Sequence, residues 1–176
     1  MKRLASFFLL LMMLLSLAAC GGSKDHSNAE YGGVGDTMST AWFDFTVTDA
    51  YSCAQYQGYL PSEGYKLVVV ALSLKNDCGR PADMRGDDFV ICWGDDDDIF
   101  SEDIPLAAGL SGDQFPDEYI LDANESKTGV MVFEVPQEFH EFTVRFMEPF
   151  ASDFDADPDS DEGETFFVDF TAEDRE

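Results

Sequence analysis

Residues Tyr65 to Leu74 read Tyr-Lys-Leu-Val-Val-Val-Ala-Leu-Ser-Leu, an almost unbroken stretch of aliphatic and β-branched side chains. Such a run favours a strand and is apolar on both faces, so it belongs in the middle of a sheet with cover above and below. The rest of the chain can supply that cover. It is 45% hydrophobic and 14% aromatic despite a net charge of −26, too much core material for a disordered acidic tail. With 10 Lys and Arg against 36 Asp and Glu, nucleic acid and anionic lipid surfaces repel it.

Around the central run the periodicity is that of strands. Phe43, Phe45 and Val47 alternate with Asp44 and Thr46, a half-buried pattern. Phe89 to Trp93, Tyr119 to Leu121, Gly129 to Val135, Glu141 to Met147 and Glu164 to Phe170 read as further strands, with Ile99 and Phe100 as a short return. Asn76, Asp77, Gly79 and Pro81 supply turn chemistry, and no long helical period occurs. The fold class predicted is all-β: an immunoglobulin-like antiparallel β-sandwich of about seven to eight strands, with an up-and-down barrel as its competitor.

The first residues carry an address. Lys2 and Arg3 precede an apolar run, Leu4 to Ala19, that is shorter than the ~20 residues needed to span a bilayer as a helix. Leu17, Ala18, Ala19 and Cys20 resemble the lipobox of bacterial lipoproteins, which implies diacylglyceryl attachment at Cys20, cleavage before it, and a lipid anchor in the bacterial cell membrane facing the extracytoplasmic side. The organisation expected is a signal peptide over 1–19, a flexible tether over 20–35, a sandwich domain over 36–170 and an acidic tail over 171–176.

Beyond the lipobox, the chain is similar to bacterial lipoproteins that carry a telokin-like, immunoglobulin-like extracellular domain of unknown function. Gly35 and Asp36 precede the first strand, Glu63, Gly64 and Tyr65 run into Val68, Val69 and Val70, and Lys75 and Asn76 end that strand. Asp88 and Phe89 open the next, and Gly129, Val132, Phe133, Glu134, Val135 and Pro136 resemble a Gly-to-Phe-Glu-Val-Pro strand. Ala123 and Asn124 depart from it, standing where a Pro-Gly turn is usual before Glu125. The resemblance implies a fold and brings no catalytic residues.

Three cysteines remain besides Cys20. If strands at 41–51 and 65–74 form a hairpin, Cys53 and Cys78 sit about 30 Å apart, beyond disulfide reach. An antiparallel third strand would bring Cys92 toward Cys53, which makes Cys53–Cys92 the first pairing to expect and Cys78–Cys92 the second.

Two acidic runs invite a cation. Asp153, Asp155, Asp157, Asp159, Asp161 and Glu164 fall at positions 1, 3, 5, 7, 9 and 12 of an EF-hand frame, but Pro158 stands where the loop needs glycine, so only a looser calcium loop remains open. Asp95, Asp96, Asp97 and Asp98 repel one another at a strand turn and call for solvent, a cation or a basic partner. Calcium is therefore the one cofactor to consider, against the plainer reading of both runs as solvated loops.

Enzymatic candidates are few. His26 lies in the expected tether and His140 in a turn, and no G-x-S-x-G, Walker, H-E-x-x-H or C-x-x-C motif is present. Tyr51, Tyr56 and Tyr59, in an irregular loop beside the first hairpin, are the predicted ligand contacts. The function expected is non-enzymatic: a membrane-anchored extracellular module binding a protein, peptide or envelope ligand, with acidity favouring a cationic protein or peptide and excluding nucleic acid. The alternatives are a calcium-binding surface protein and an accessory subunit of an envelope enzyme or transporter.

Overall fold

The computed structural model describes residues 29–94, 101–148 and 164–175. Its strands are β1 (Ala29–Gly33), β2 (Thr37–Ser39), β3 (Asp44–Cys53), β4 (Tyr65–Lys75), β5 (Ala82–Arg85), β6 (Phe89–Trp93), β7 (Ser101–Asp103), β8 (Glu118–Leu121), β9 (Ser126–Pro136), β10 (Glu141–Met147), β11 (Thr165–Thr171) and β12 (Glu173–Asp174). One 3₁₀ turn, Gly86–Asp88, precedes β6, and no α-helix occurs among the described residues. Sheet A has the order β1-β11-β10-β6-β7, and sheet B the order β12-β3-β4-β9 with β2 also on β3. β5 and β8 form a separate two-stranded ribbon. The fold is an antiparallel β-sandwich, with two short parallel pairings, β1–β11 and β12–β3.

Tyr65 to Leu74 form the central strand that their composition demands. β4 lies between β3 and β9, and Val68, Val70, Leu72 and Leu74 face the main core while Leu67 and Val69 face a second cluster on the outside of sheet B. Phe43 and Phe45 from sheet B interlock with Phe89, Phe146 and Phe166 from sheet A. Phe45 meets Phe89 edge-on at 5.2 Å between centroids and Phe166 at 6.1 Å, the offset geometry aromatic quadrupoles favour.

Several short elements depart from the expected organisation. The tether expected to reach residue 35 ends sooner, because Ala29–Gly33 already pairs with β11, and β2 then crosses to the edge of β3. The tail expected over 171–176 contains β12, which pairs with Tyr51 and Ser52. The return expected at Ile99 and Phe100 lies outside the described residues; the strand described beside β6 is β7 at Ser101–Asp103. These strands are too short for periodicity to register; their partners define them. The Ala123–Asn124 departure also has a physical reason. Asn124 takes φ +65°, supplying the left-handed residue a type II turn requires, and the Glu125 N–H donates to the Asp122 carbonyl at 2.9 Å.

A bulge in β3 corrects the disulfide expectation. The β3–β4 register shifts between Val47 and Asp49, so Phe45 and Val47 face the core, whereas Tyr51 and Cys53 face outward. Cys92 alternates with the core residues Phe89 and Ile91 and pairs with Thr143, so it lies on the outer face of sheet A. Both sheets separate Cys53 from Cys92, about 10 Å at the least. Cys53, Cys78 and Cys92 are all free thiols.

The edges of sheet B are covered, as an aggregation-resistant sandwich requires. β2 and β12 cap opposite halves of β3, and the irregular segment from Leu106 to Phe115 runs along β9. There the Leu106 and Phe115 N–H groups donate to the Val132 and Val130 carbonyls at 2.7 and 3.1 Å. A Cβ at Gly129 would lie 2.9 Å from the Phe115 ring and 3.0 Å from the Asp113 carbonyl, which explains the glycine.

Two expectations follow. Gly129→Ala should cost about 1–3 kcal/mol, because Phe115 must leave its core position, while Gly112→Ala, with open space around its Cβ, should leave the melting temperature in place. Second, Arg175 bonds both Asp49 oxygens (2.6 and 2.8 Å) and stacks on Tyr51 at 4.5 Å, latching β12. Arg175 holds the Asp49 carboxyl below its usual range, so this contribution is present above the ordinary carboxylate pKa near 4 and is lost as pH falls through the depressed value. Arg175→Ala should lower the hydrogen-exchange protection of the amide at position 175, which donates to the Ser52 carbonyl at 2.7 Å, several-fold at pH 7, with a difference that shrinks below about pH 4.

Candidate functional site

Strand register gives the sandwich two distinct ends. Ala29, Met147 and Thr165 lie side by side at one, where the Glu148 N–H also donates to the Glu164 carbonyl at 3.0 Å. At the other end lie Trp93 and Ser101, the Pro136–Glu141 turn and the loop from Cys53 to Tyr65. Cys20, Asp95 to Asp98, Asp153, Asp155, Asp157, Asp159 and Asp161 lie outside the described residues, but the residues flanking the two acidic runs are described. Gly94 and Ser101 belong to the tyrosine-loop end, Glu148 and the exposed Glu164 to the Ala29 end. Among the described residues no group of three or more His, Cys, Asp or Glu side chains could hold a metal ion.

The loop after β3 is folded back on sheet B. Gln57 and Gly58 take φ +50° and +86°, as a type I′ turn demands, and Tyr56 and Tyr59 exchange backbone hydrogen bonds of 3.0 and 2.8 Å across it. Their rings, with Tyr51, Leu106 and Leu110, roof the outer cluster of Cys53, Leu67, Val69 and Val132. The Tyr56 hydroxyl donates to Ser111 Oγ at 3.0 Å and the Tyr59 hydroxyl to Glu134 Oε2 at 3.1 Å. Glu134 Oε1 accepts the Ser62 N–H at 2.8 Å. Hydrogen bonding from Ser62 holds the Glu134 carboxyl below its ordinary range, and the same carboxylate pushes the Tyr59 hydroxyl up.

These contacts redistribute the predicted roles. Tyr51, Tyr56 and Tyr59 come together as expected, but their rings act as cover, and the Tyr56 and Tyr59 hydroxyls are engaged within the chain. The large apolar side chains that this end offers to solvent, among the described residues, are Leu60, 67% exposed, and Tyr65, 45% exposed. Sequence reasoning missed Leu60; the signal was an aliphatic residue between Tyr59 and Pro61, in a loop with no alternation to bury it.

Beside the loop lies a polar cluster. The fully buried Ser52 donates its hydroxyl to Asp174 Oδ1 at 2.5 Å, lowering that carboxyl's pKa, and the buried Lys66 amine lies 3.3 Å from His140 Nδ1. With no solvent-facing side, Ser52 anchors β12 and offers no face to a substrate. His140 is exposed, as its turn position suggested.

Every cation among the described residues is engaged. Lys75, Arg85, Arg145 and Arg175 pair with Asp77, Asp87, Glu102 and Asp49. Arg80 and Lys127 stack over Trp42 and Tyr119, and Lys66 meets His140 and Phe142. Among the described residues no cation is therefore left over for the surplus carboxylates.

No protein-family model matches the chain, and no curated protein matches its sequence. Solved structures match its fold. The Bacillus subtilis yjhA protein aligns with TM-score 0.52 at 14% identity, over 78% of this chain and 99% of its own. A Clostridium difficile 630 protein described as an uncharacterized β-sandwich aligns with TM-score 0.50 at 10% identity, over 81% of this chain and 95% of its own. The Bacillus subtilis ycdA protein, provisionally described as a lipoprotein, aligns with TM-score 0.51 at 15% identity over 76% of this chain, which spans only 38% of that protein. At these identities the likeness is one of fold, and that fold is the β-sandwich.

Proposed function

We propose that this protein is a non-enzymatic binding module, held to the extracytoplasmic face of a bacterial membrane by lipid on Cys20, that presents its tyrosine-loop end to a cationic protein, peptide or envelope ligand. The observation that carries the reading is the polarity of the fold. β1 enters beside Thr165, so the chain from Cys20 reaches the domain at one end, while Leu60 and Tyr65 are exposed at the other. The nine residues from Cys20 to Asn28 span at most about 30 Å, which keeps the Ala29 end near a membrane and the loop end away from it. An exposed leucine on the loop and an exposed tyrosine at the start of β4, both fixed by a rigid sheet, suit recognition, and carboxylates in excess of cations favour a cationic partner.

Site-specific photo-crosslinking on intact cells tests this. A crosslinker at Leu60 or Tyr65 should form adducts with an envelope macromolecule. Raised salt should diminish both adducts, and Leu60→Ser should diminish the one formed from position 65. A crosslinker at Glu30 should form none. Equal labelling from both ends, or none from the loop, would remove the reading. Replacing Cys20 by Ala should release the protein from the membrane fraction and abolish incorporation of labelled palmitate.

A further inference from the structure

At the Ala29 end, opposite the tyrosine loop, the core opens into a cleft of about 240 Å³ between Trp42, Asp83 and Asp88. Its floor is apolar and belongs to the main core: Phe43, Met84 and Phe146. Trp42 forms a wall and is held there by Thr40, whose Oγ1 accepts the N–H of Trp42 at 3.1 Å and of Phe43 at 3.0 Å while donating to the Phe43 carbonyl at 2.7 Å. The rim is acidic. Asp88 Oδ2 accepts the Arg85 N–H at 2.6 Å, so the carboxylate is fixed, yet Arg85 spends its guanidinium on Asp87 at 2.9 and 3.1 Å. Among the described residues neither Asp83 nor Asp88 makes a salt bridge.

Two further features bear on what the cleft can take. The exposed Arg80 guanidinium lies 4.4 Å from the Trp42 ring centroid, so the indole already carries a cation supplied by the chain itself. Asn76, fully buried, places it by donating Nδ2 to the Arg80 carbonyl at 2.7 Å and to the Leu121 carbonyl at 2.9 Å. Second, burial leaves Asp88 without full solvation, raising its pKa. A π wall, an apolar floor and two unpaired carboxylates match a positive charge on a hydrophobic stem. The volume is below that of drug-sized sites and suits a group the size of a side chain.

We propose that this cleft binds an organic cation, an ammonium or guanidinium on an apolar stem, with the stem against Phe43, Met84 and Phe146 and the charge between Trp42, Asp83 and Asp88. Arg80 is an internal competitor for the Trp42 face and swings into solvent when the ligand enters. The site is independent of the tyrosine-loop reading, since it lies at the other end of the sandwich and uses none of its residues.

The test uses the full chain with Trp93→Phe, which leaves Trp42 as the sole indole reporter. Phenethylamine should give a saturable change in Trp42 emission, and 2-phenylethanol, its neutral counterpart, should bind at least tenfold more weakly. Asp88→Asn retains an oxygen for the Arg85 N–H and should weaken the amine about tenfold while leaving the alcohol unchanged. Asp83→Asn, at an exposed position, should act in the same direction without any effect on folding. Arg80→Ala should tighten the amine several-fold by clearing the indole face. An arginine-containing tripeptide amide distinguishes the sources: tighter binding than phenethylamine assigns the site to a peptide side chain, weaker binding to a small amine. No saturable change with either cation, equal affinity for amine and alcohol, or indifference to both Asp→Asn changes in folded variants would overturn the assignment.

Discussion

Five phenylalanine rings hold the two sheets together, and the rest of the molecule is arranged around that contact. Phe43 and Phe45 come from sheet B and its entrance, Phe89, Phe146 and Phe166 from sheet A, and the rings meet across the interface mostly tilted or edge-on. Each favourable pair adds about 0.5–1.5 kcal/mol beyond the area it buries, and its geometry resists sliding one sheet over the other. The cluster sits toward the Ala29 end. Toward the other end the inward positions of β3 and β4 hold Ser52 and Lys66, which are satisfied by Asp174 and His140 rather than by packing. One end of the sandwich is thus locked by shape and the other tied by polar contacts through the terminal strand.

The bulge at Thr48 decides which side chains reach each face, and it marks the limit of what the sequence reveals. Alternation from Phe43 through Val47 is plain in the sequence, and continuing it would put Asp49, Tyr51 and Cys53 on the core face. One extra residue reverses that parity, leaving Ala50 inward and Tyr51 and Cys53 outside. The long strands β4, β9, β10 and β11 were legible because each carries enough alternating or continuous apolar residues to fix its own face. β1, β2, β5 and β12 were not, since two to five residues carry too little pattern and form because another strand leaves an edge open. The same holds for Leu106 to Phe115, which looks irregular along the chain and acquires order only from the β9 backbone beside it.

Functional residues were legible to a different degree. The sequence singles out the tyrosines by type and place, and they do gather at one end, but only the fold shows Tyr56 and Tyr59 spending their hydroxyls on Ser111 and Glu134, partners 55 and 75 positions away. The Trp42 cleft was invisible for the same reason. Its walls come from the β2–β3 connection, the β5 strand, the 3₁₀ turn and the end of β10, four segments with no shared motif. What composition did show was the charge excess, and the structure gives it a local meaning.

With the described cations all engaged, the remaining carboxylates act on their surroundings rather than on one another. Among the described residues most sit on outward strand positions or in turns, where water screens each repulsion within roughly 8 Å at physiological salt, so their excess opposes folding only weakly. The exceptions matter more. A carboxylate against an apolar wall, as Asp88 is, loses that screening and keeps its field, and the Trp42 ring beside it presents a negative face as well. Acidity spread over the surface therefore favours cations in general, by attraction that salt abolishes. Acidity set beside buried aromatic groups selects cations with a hydrophobic body, through contacts that salt weakens far less.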